Sequence, residues 1–238
     1  MSQTLPPMQL TVYDSSVTGY YFFSTKKFGT IQGSYQPITL VLDELGKIIY
    51  YRPERSNDFT LQPNGQITYY EDGKFVVLDS TFTIIDSVKC QGYETNSHEL
   101  QILANHHYLL LGEQDSIMNL SSYHYFNHNG SPGSTNAVVT GSVIQELDQN
   151  KNLVFEWRAL DHLPFNSVTP FFLKSPSVVD WSHSNALEMD TDGNILLSSR
   201  HLSEITKINR STGNVMWRMG GNYNQFTFIN DPFVFRAQ

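Results

Sequence analysis

Apolar and polar residues alternate along most of the chain or gather in short β-branched runs, and no stretch carries the 3.6-residue period of a long helix. Two kinds of hairpin recur. In the first, an apolar strand meets an Asn/Asp/Gly turn and a second apolar strand follows: DFTLQPNGQITYY (58–70), HELQILANHHYLLLG (98–112) and HSNALEMDTDGNILLSS (183–199). In the second, a strand ending in Leu or Ile and then Asp or Asn is followed by a short polar turn and a strand ending in aromatics. Its copies are ITLVLDELGKIIYYR (38–52), VIQELDQNKNLVFEWR (143–158) and EITKINRSTGNVMWR (204–218), with KFVVLDSTFTIIDS (74–87) looser. The two kinds alternate along the chain.

Each pair of hairpins makes four strands, and the pairs begin near Asp58, His98 and His183. Two loop-like insertions interrupt the series, Asn119 to Thr140 and Leu160 to Asp180, the second carrying Pro164, Pro170 and Pro176. Without them the repeat is roughly the ~40–50 residues of a propeller blade. The pattern therefore predicts an all-β chain, a β-propeller of four-stranded blades around a channel, with residues 1–238 as one domain. Residues 1–37 read as lead-in strands, 38–52 as half a blade, and 58–91, 98–158 and 183–218 as full blades. NYNQFTFINDPFVFRAQ (222–238) reads as the start of another. So few blades do not close a ring, which leads to the expectation that the chain is the N-terminal portion of a longer protein. A small open β-sheet protein is the plainer alternative.

Composition narrows the function. The net charge is −8, and no run of Lys or Arg exceeds Lys26–Lys27, which argues against nucleic acid as a partner. With 39% hydrophobic, 13% aromatic and 16% charged residues the chain reads as globular. The single cysteine, Cys90, forms neither an internal disulfide nor part of a zinc cluster. No run approaches the ~18 apolar residues of a membrane helix, and MSQTLPPMQL is not a signal peptide. A P-loop, a dinucleotide fingerprint and a nucleophile elbow are missing from the sequence. No metal or cofactor is expected.

The candidate chemistry lies at the open ends of the first kind of hairpin. With Asp190–Asn194 as the turn, His183 falls opposite Arg200 or His201, where side chains on paired strands lie ~5 Å apart. His98 takes the corresponding place at the start of its own first strand. First strands line a propeller's channel, so His98, His183 and Arg200, remote in sequence, converge near its axis. A guanidinium fork beside imidazoles suits a small tetrahedral anion. Asn185, two residues after His183 and on the same strand face, adds an amide donor. The plainer readings are surface histidines and an Arg200 that ties down a neighbouring blade. His106 and His107 read as solvated turn residues. His124 and His128 have a spacing that fits a metal pair or an aromatic lid, with an ordinary loop the simpler reading. Trp157 and Trp217, each followed by Arg, read as blade-packing residues.

HELQILANHHYLLLG, HSNALEMDTDGNILLSSR and EITKINRSTGNVMWRMGG, followed by F…DPF…AQ, resemble the bacterial arylsulfate sulfotransferase family from about Gly19 to the last residue. The resemblance implies a six-bladed propeller, exported to the periplasm or cell surface. It implies transfer of a sulfuryl group from an aryl sulfate donor to a phenol acceptor, through a sulfated histidine and without a nucleotide donor. His98, His183 and Arg200 match the family residues that hold the sulfuryl oxygens and assist proton transfer, and Asn185 matches a neighbouring polar residue. In the family the nucleophilic histidine follows the segment resembling DPFVFRAQ, so no histidine of this chain takes that role and the chain itself is expected to be inactive. The competing reading is a non-catalytic propeller that binds an anionic ligand or a surface partner, motivated by the aromatic run Tyr123–Phe126. A minor one is hydrolysis of the sulfate ester.

Overall fold

The computed structural model describes residues 18–25, 37–124, 130–227 and 229. They divide between two compact units, Met1–Val88 and Lys89–Gln238. Strands account for 50% of the structure and helices for 5%, so the chain is all-β as its pattern predicts. The strands form antiparallel meanders of the propeller-blade type.

The first unit holds a three-stranded sheet, β1 (Tyr20–Ser24), β2 (Thr39–Asp43) and β3 (Ile48–Arg52), and a four-stranded meander. The meander is β4 (Asn57–Leu61), β5 (Ile67–Glu71), β6 (Lys74–Leu78) and β7 (Ile84–Val88). Ile67, Tyr69, Val76 and Leu78 are buried within it, with Phe22, Phe59 and Phe82 packed against them. In the second unit β8 (Glu94–Ile102), β9 (Tyr108–Met118), β10 (Ala137–Leu147) and β11 (Leu153–Arg158) form one meander. A second follows as β13 (Ser184–Met189), β14 (Ile195–Ser199), β15 (Glu204–Ile208) and β16 (Val215–Gly220), after the short β12 (Val178–Asp180).

The Asp or Asn that closes each hairpin of the second kind is a local cap. Asp43 Oδ1 accepts the N–H groups of Leu45 and Lys47, Asp79 those of Thr81 and Thr83, and Asp148 those of Asn150 and Asn152. Asn209 does the same for Ser211 and Thr212. A short acceptor two residues upstream of a free N–H closes the turn without help from the core. Hairpins of the first kind need a residue in the left-handed region, which Gly65 and Gly193 supply at φ 84° and 77°. His106 fills the same turn place at φ 63°.

The insertion before Asp180 is built structure rather than loop. After β11 come α1 (Ala159–His162), two single 3₁₀ turns (Phe165–Ser167 and Pro170–Phe172), and β12, which pairs parallel with β10 through Val138–Val178 and Thr140–Asp180. Leu163, Phe165, Val168, Leu173, Val179 and Trp181 enter the main core from this run. The strands flanking the earlier insertion also run further than the sequence pattern indicates, β9 to Met118 and β10 from Ala137. Gly141 on β10 is required by this packing, because a Cβ there would lie 2.7 Å from Leu160 Cγ. Trp157 is buried and its Nε1 donates to the Gly213 carbonyl at 3.0 Å. Trp217 is only half-buried, edge-on to Phe226.

A buried ion pair joins the two meanders of the second unit. Glu146 on β10, fully buried, receives Arg210 Nε at 2.6 Å and Arg210 Nη2 on its other oxygen. His107 Nδ1 reaches the same carboxylate, so His107 is not the solvated turn residue its place suggests. Burial alone would raise the Glu146 pKa, but the Arg210 and His107 contacts outweigh it and hold the carboxyl below its ordinary value. We predict that Arg210→Ala lowers the unfolding free energy by about 3 kcal/mol, because it strands a buried carboxylate; urea denaturation measures this. The folded-state pKa is lowered. The stabilisation is therefore present above the ordinary carboxylate range and is lost as pH falls through the lowered value.

Candidate functional site

The β13–β14 hairpin keeps a regular register from Met189↔Ile195 to Ala186↔Ser198, then slips by one residue at Asn185, so that Ser184 pairs with Ser199. The slip settles which residue His183 faces. The Arg200 N–H donates to the His183 carbonyl at 3.1 Å, and the His201 N–H to that of Ser182. His183 itself sits at φ 43°, a left-handed conformation that costs a side-chain-bearing residue of order 1–3 kcal/mol. At the slip the two-residue alternation fails. Asn185 Oδ1 accepts from Ser198 Oγ at 3.2 Å, leaving its NH₂ as the donor, and no hydrogen bond ties Asn185 to the imidazoles among the described residues.

His98 does not start its strand. It lies within β8, in a four-residue irregularity between Thr95 and Leu100 where the ladder with β9 is interrupted. Asn96 organises this bulge: its Oδ1 accepts both the His98 backbone N–H, at 2.9 Å, and the ring Nδ1–H, at 2.7 Å. The Asn96 amide nitrogen in turn donates to Glu113 on β9. The His98 ring reaches His183 edge-to-face, with centroids 5.8 Å apart.

Two further residues complete the cluster: Asp180, and His201, which the sequence offers only as the alternative to Arg200 opposite His183. His201 stacks on His183 at 4.5 Å and is covered on its other side by Phe172 at 4.2 Å. Asp180 serves both rings: its Oδ2 takes the His183 Nδ1–H at 2.5 Å, and its backbone carbonyl takes the His201 Nδ1–H at 2.7 Å. All three imidazoles are thus anchored through Nδ1, which leaves Nε2 to carry the lone pair or, on protonation, a second N–H.

Electrostatics match this geometry. Burial, then His183, hold His98 below the usual imidazole value; Asp180 opposes them, and Arg200 adds the smallest lowering effect. Burial also lowers His201, and Asp180 only partly offsets it. Burial pushes Asp180 up, but the His183 hydrogen bond and the two imidazoles outweigh it, so its carboxyl lies below the ordinary value. Burial raises Glu113, and Asp180 adds to the rise. Arg200 is exposed, and among the described residues no carboxylate forms an ion pair with its guanidinium, so its charge is available to a ligand. The nearest atoms of Asp180, His183 and His201 lie within 4.8 Å of one another, a spacing open to a cation. However, both Nδ1 edges already donate to Asp180, and Arg200 adds positive charge. The arrangement suits an oxyanion better.

The remaining histidines and the aromatic run fall elsewhere. His162 stacks on Trp157 at 5.0 Å, and Asp161 pairs with Arg158. His124 is 3.3 Å from the Gly130 carbonyl, and its suggested companion His128 lies outside the described residues. Tyr123 packs on Phe165 at 4.6 Å, and Phe126 also lies outside them. Asn96 had a legible signal, an Asx residue two before His98. Asp180 had a weaker one, three residues before His183. Glu113 and Phe172 had none.

The sequence model of the Arylsulfotransferase (ASST) family matches residues 9–227. No curated protein matches the chain. Among solved structures, a protein of unknown function from Bacteroides caccae is 11% identical, with 81% of this chain and 58% of that one covered and a TM-score of 0.46. Selenomethionine-substituted virginiamycin B lyase from Staphylococcus aureus is 12% identical, with 75% and 61% covered and a TM-score of 0.37. The chain therefore spans about three fifths of the length of these structures.

A neutral Nε2 accepts, whereas an imidazolium Nε2 donates to an anion. Because His98 and His201 are held below the usual value of about 6.5, they are neutral at pH 7. We predict that affinity for inorganic sulfate rises as pH falls through the imidazole range, by up to about tenfold per unit for one proton taken up. Calorimetry between pH 5.5 and 8 checks this; a flat profile would show that these rings take no part.

Proposed function

The chain belongs to the arylsulfotransferase family, and on that premise we propose that its protein moves a sulfuryl group from an aryl sulfate to a phenolic acceptor without a nucleotide donor. The observation that carries the reading is the edge-to-face contact of His98 and His183 beside Arg200, whose backbone N–H bonds to the His183 carbonyl and whose guanidinium forms no ion pair with a carboxylate among the described residues. In this reading the Arg200 fork grips two sulfuryl oxygens. His98 and His183 hold the third through Nε2–H or exchange a proton with the phenolic oxygens, and the Asn185 amide donates from the rim. These groups stabilise the charge on the equatorial oxygens as the S–O bond breaks.

The reaction runs in two halves through a sulfated histidine. Donor phenolate leaves as imidazole nitrogen attacks sulfur in line, and acceptor oxygen then displaces that nitrogen. On this reading none of the eight histidines in these 238 residues is the nucleophile. The chain by itself is accordingly proposed to bind the sulfuryl group without transferring it. An extracytoplasmic location accompanies this reading. Among the described residues, no helix is long and apolar enough to cross a membrane.

The expected result with 4-nitrophenyl sulfate is binding without release of coloured phenol, whether or not a second phenol is present. Turnover at a rate set by added phenol would place the attacking group within these residues; release independent of acceptor would indicate hydrolysis. Arg200→Ala should weaken binding of the ester by roughly 10–100-fold, the worth of a charged hydrogen-bonded pair. Unchanged binding would remove the main support for the sulfuryl site and favour a propeller that binds its partner elsewhere.

A further inference from the structure

We propose that Asp180 is a positioning residue that fixes the tautomer of two imidazoles at once, by two different groups. Its carboxylate sets His183, its backbone carbonyl sets His201, and the pair presents adjacent Nε2 atoms to the sulfuryl group. This deepens the reading above and rests on it for the identity of the ligand.

The geometry makes the assignment. Neither a carboxylate nor a peptide carbonyl carries a proton to give, so each Nδ1 facing Asp180 must be the protonated nitrogen. The two rings are stacked, 26° from parallel, with both Nδ1 edges directed at one residue. Their Nε2 edges therefore lie side by side on the opposite edge. Water favours the reverse tautomer for a free imidazole, so the anchors must override an intrinsic preference. Neighbouring segments can hold them in place. Asp180 pairs with Thr140 on β10, the Trp181 N–H donates to the Thr140 carbonyl at 3.0 Å, and the Trp181 ring is fully buried with Nε1 on the Phe165 carbonyl at 2.8 Å. Beyond it, Ser182 Oγ meets Ser142 Oγ at 2.7 Å. The backbone that carries both anchors is thus held by contacts that involve neither ring.

The separation of roles is what distinguishes this from a general structural part. Removing the Asp180 side chain deletes one anchor and spares the other. Long-range ¹H–¹⁵N spectra of the 238-residue chain at pH 8 read the tautomers directly. In the unaltered chain both His183 and His201 should show a protonated Nδ1 and a bare Nε2. Asp180→Ala should abolish the Nδ1–H signature of His183 in favour of Nε2–H while leaving His201 as it was. Asp180→Asn, whose amide oxygen still accepts, should retain it at both rings. The proposal is overturned by an Nε2–H tautomer at either ring in the unaltered chain, by no change at His183 in Asp180→Ala, or by loss at both rings together. Binding of 4-nitrophenyl sulfate to the unaltered chain is measured alongside. If the ester does not bind, the sulfuryl reading fails while the tautomer result still decides the role of Asp180.

Discussion

The pairing of residues 178–180 with β10 is the constraint on which the candidate site depends. It is a short parallel ladder, Val138–Val178 to Thr140–Asp180, added to a strand already occupied on its other edge by β9. Three residue pairs are weak by themselves. They hold because Val179 and Trp181 on either side of Asp180 are buried, and because Ser182 and Ser184 both bond to Ser142 on the same strand. The chain from Val178 to Ser184 is thereby laid onto β10 before it enters β13. Asp180, whose two groups orient His183 and His201, lies in this stretch, while Phe172 covers His201 from outside it.

That foundation also explains how the strain at His183 is tolerated. A left-handed non-glycine residue costs of order 1–3 kcal/mol, whereas losing a buried aromatic the size of Trp181 costs about 3–5 kcal/mol. The packing on one side of the site outweighs the distortion on the other. The distortion in turn accompanies the register slip at Asn185, which fixes His183 against Arg200 rather than His201. Without the slip, strict alternation would place His183 opposite His201, and the guanidinium would move one place along the strand.

How much of this was legible in the sequence follows from the range of the interactions concerned. The hairpins were legible because their turns are local: Asp43, Asp79, Asp148 and Asn209 cap N–H groups two to four residues away, and Gly65 and Gly193 supply the conformation the turns need. Hairpin closure also gave the approach of His183 to Arg200, although the slip that chooses between Arg200 and His201 has no sequence signal of its own. The repeat placed His98 near them, but at the start of its strand. The structure instead uses a bulge held by Asn96, which moves His98 inward along β8. Asp180 was missed, and His201 was read only as an alternative neighbour of His183, because their roles depend on β12, a strand of three residues inside a proline-containing run whose periodicity says nothing. Its pairing with β10 is set by burial of Trp181 and Val179, contacts remote in sequence.

The two carboxylates of the site divide their work in a way that composition alone does not suggest. Asp180 touches an imidazole directly through its carboxylate. Glu113 acts through Asn96, so its charge stands one residue further from His98, and burial together with Asp180 raises its pKa. A neutral amide interposed between carboxylate and ring orients His98 without giving it a counterion. His183 has one. His98 has no carboxylate on its ring, and burial together with the neighbouring His183 holds it below the usual imidazole value.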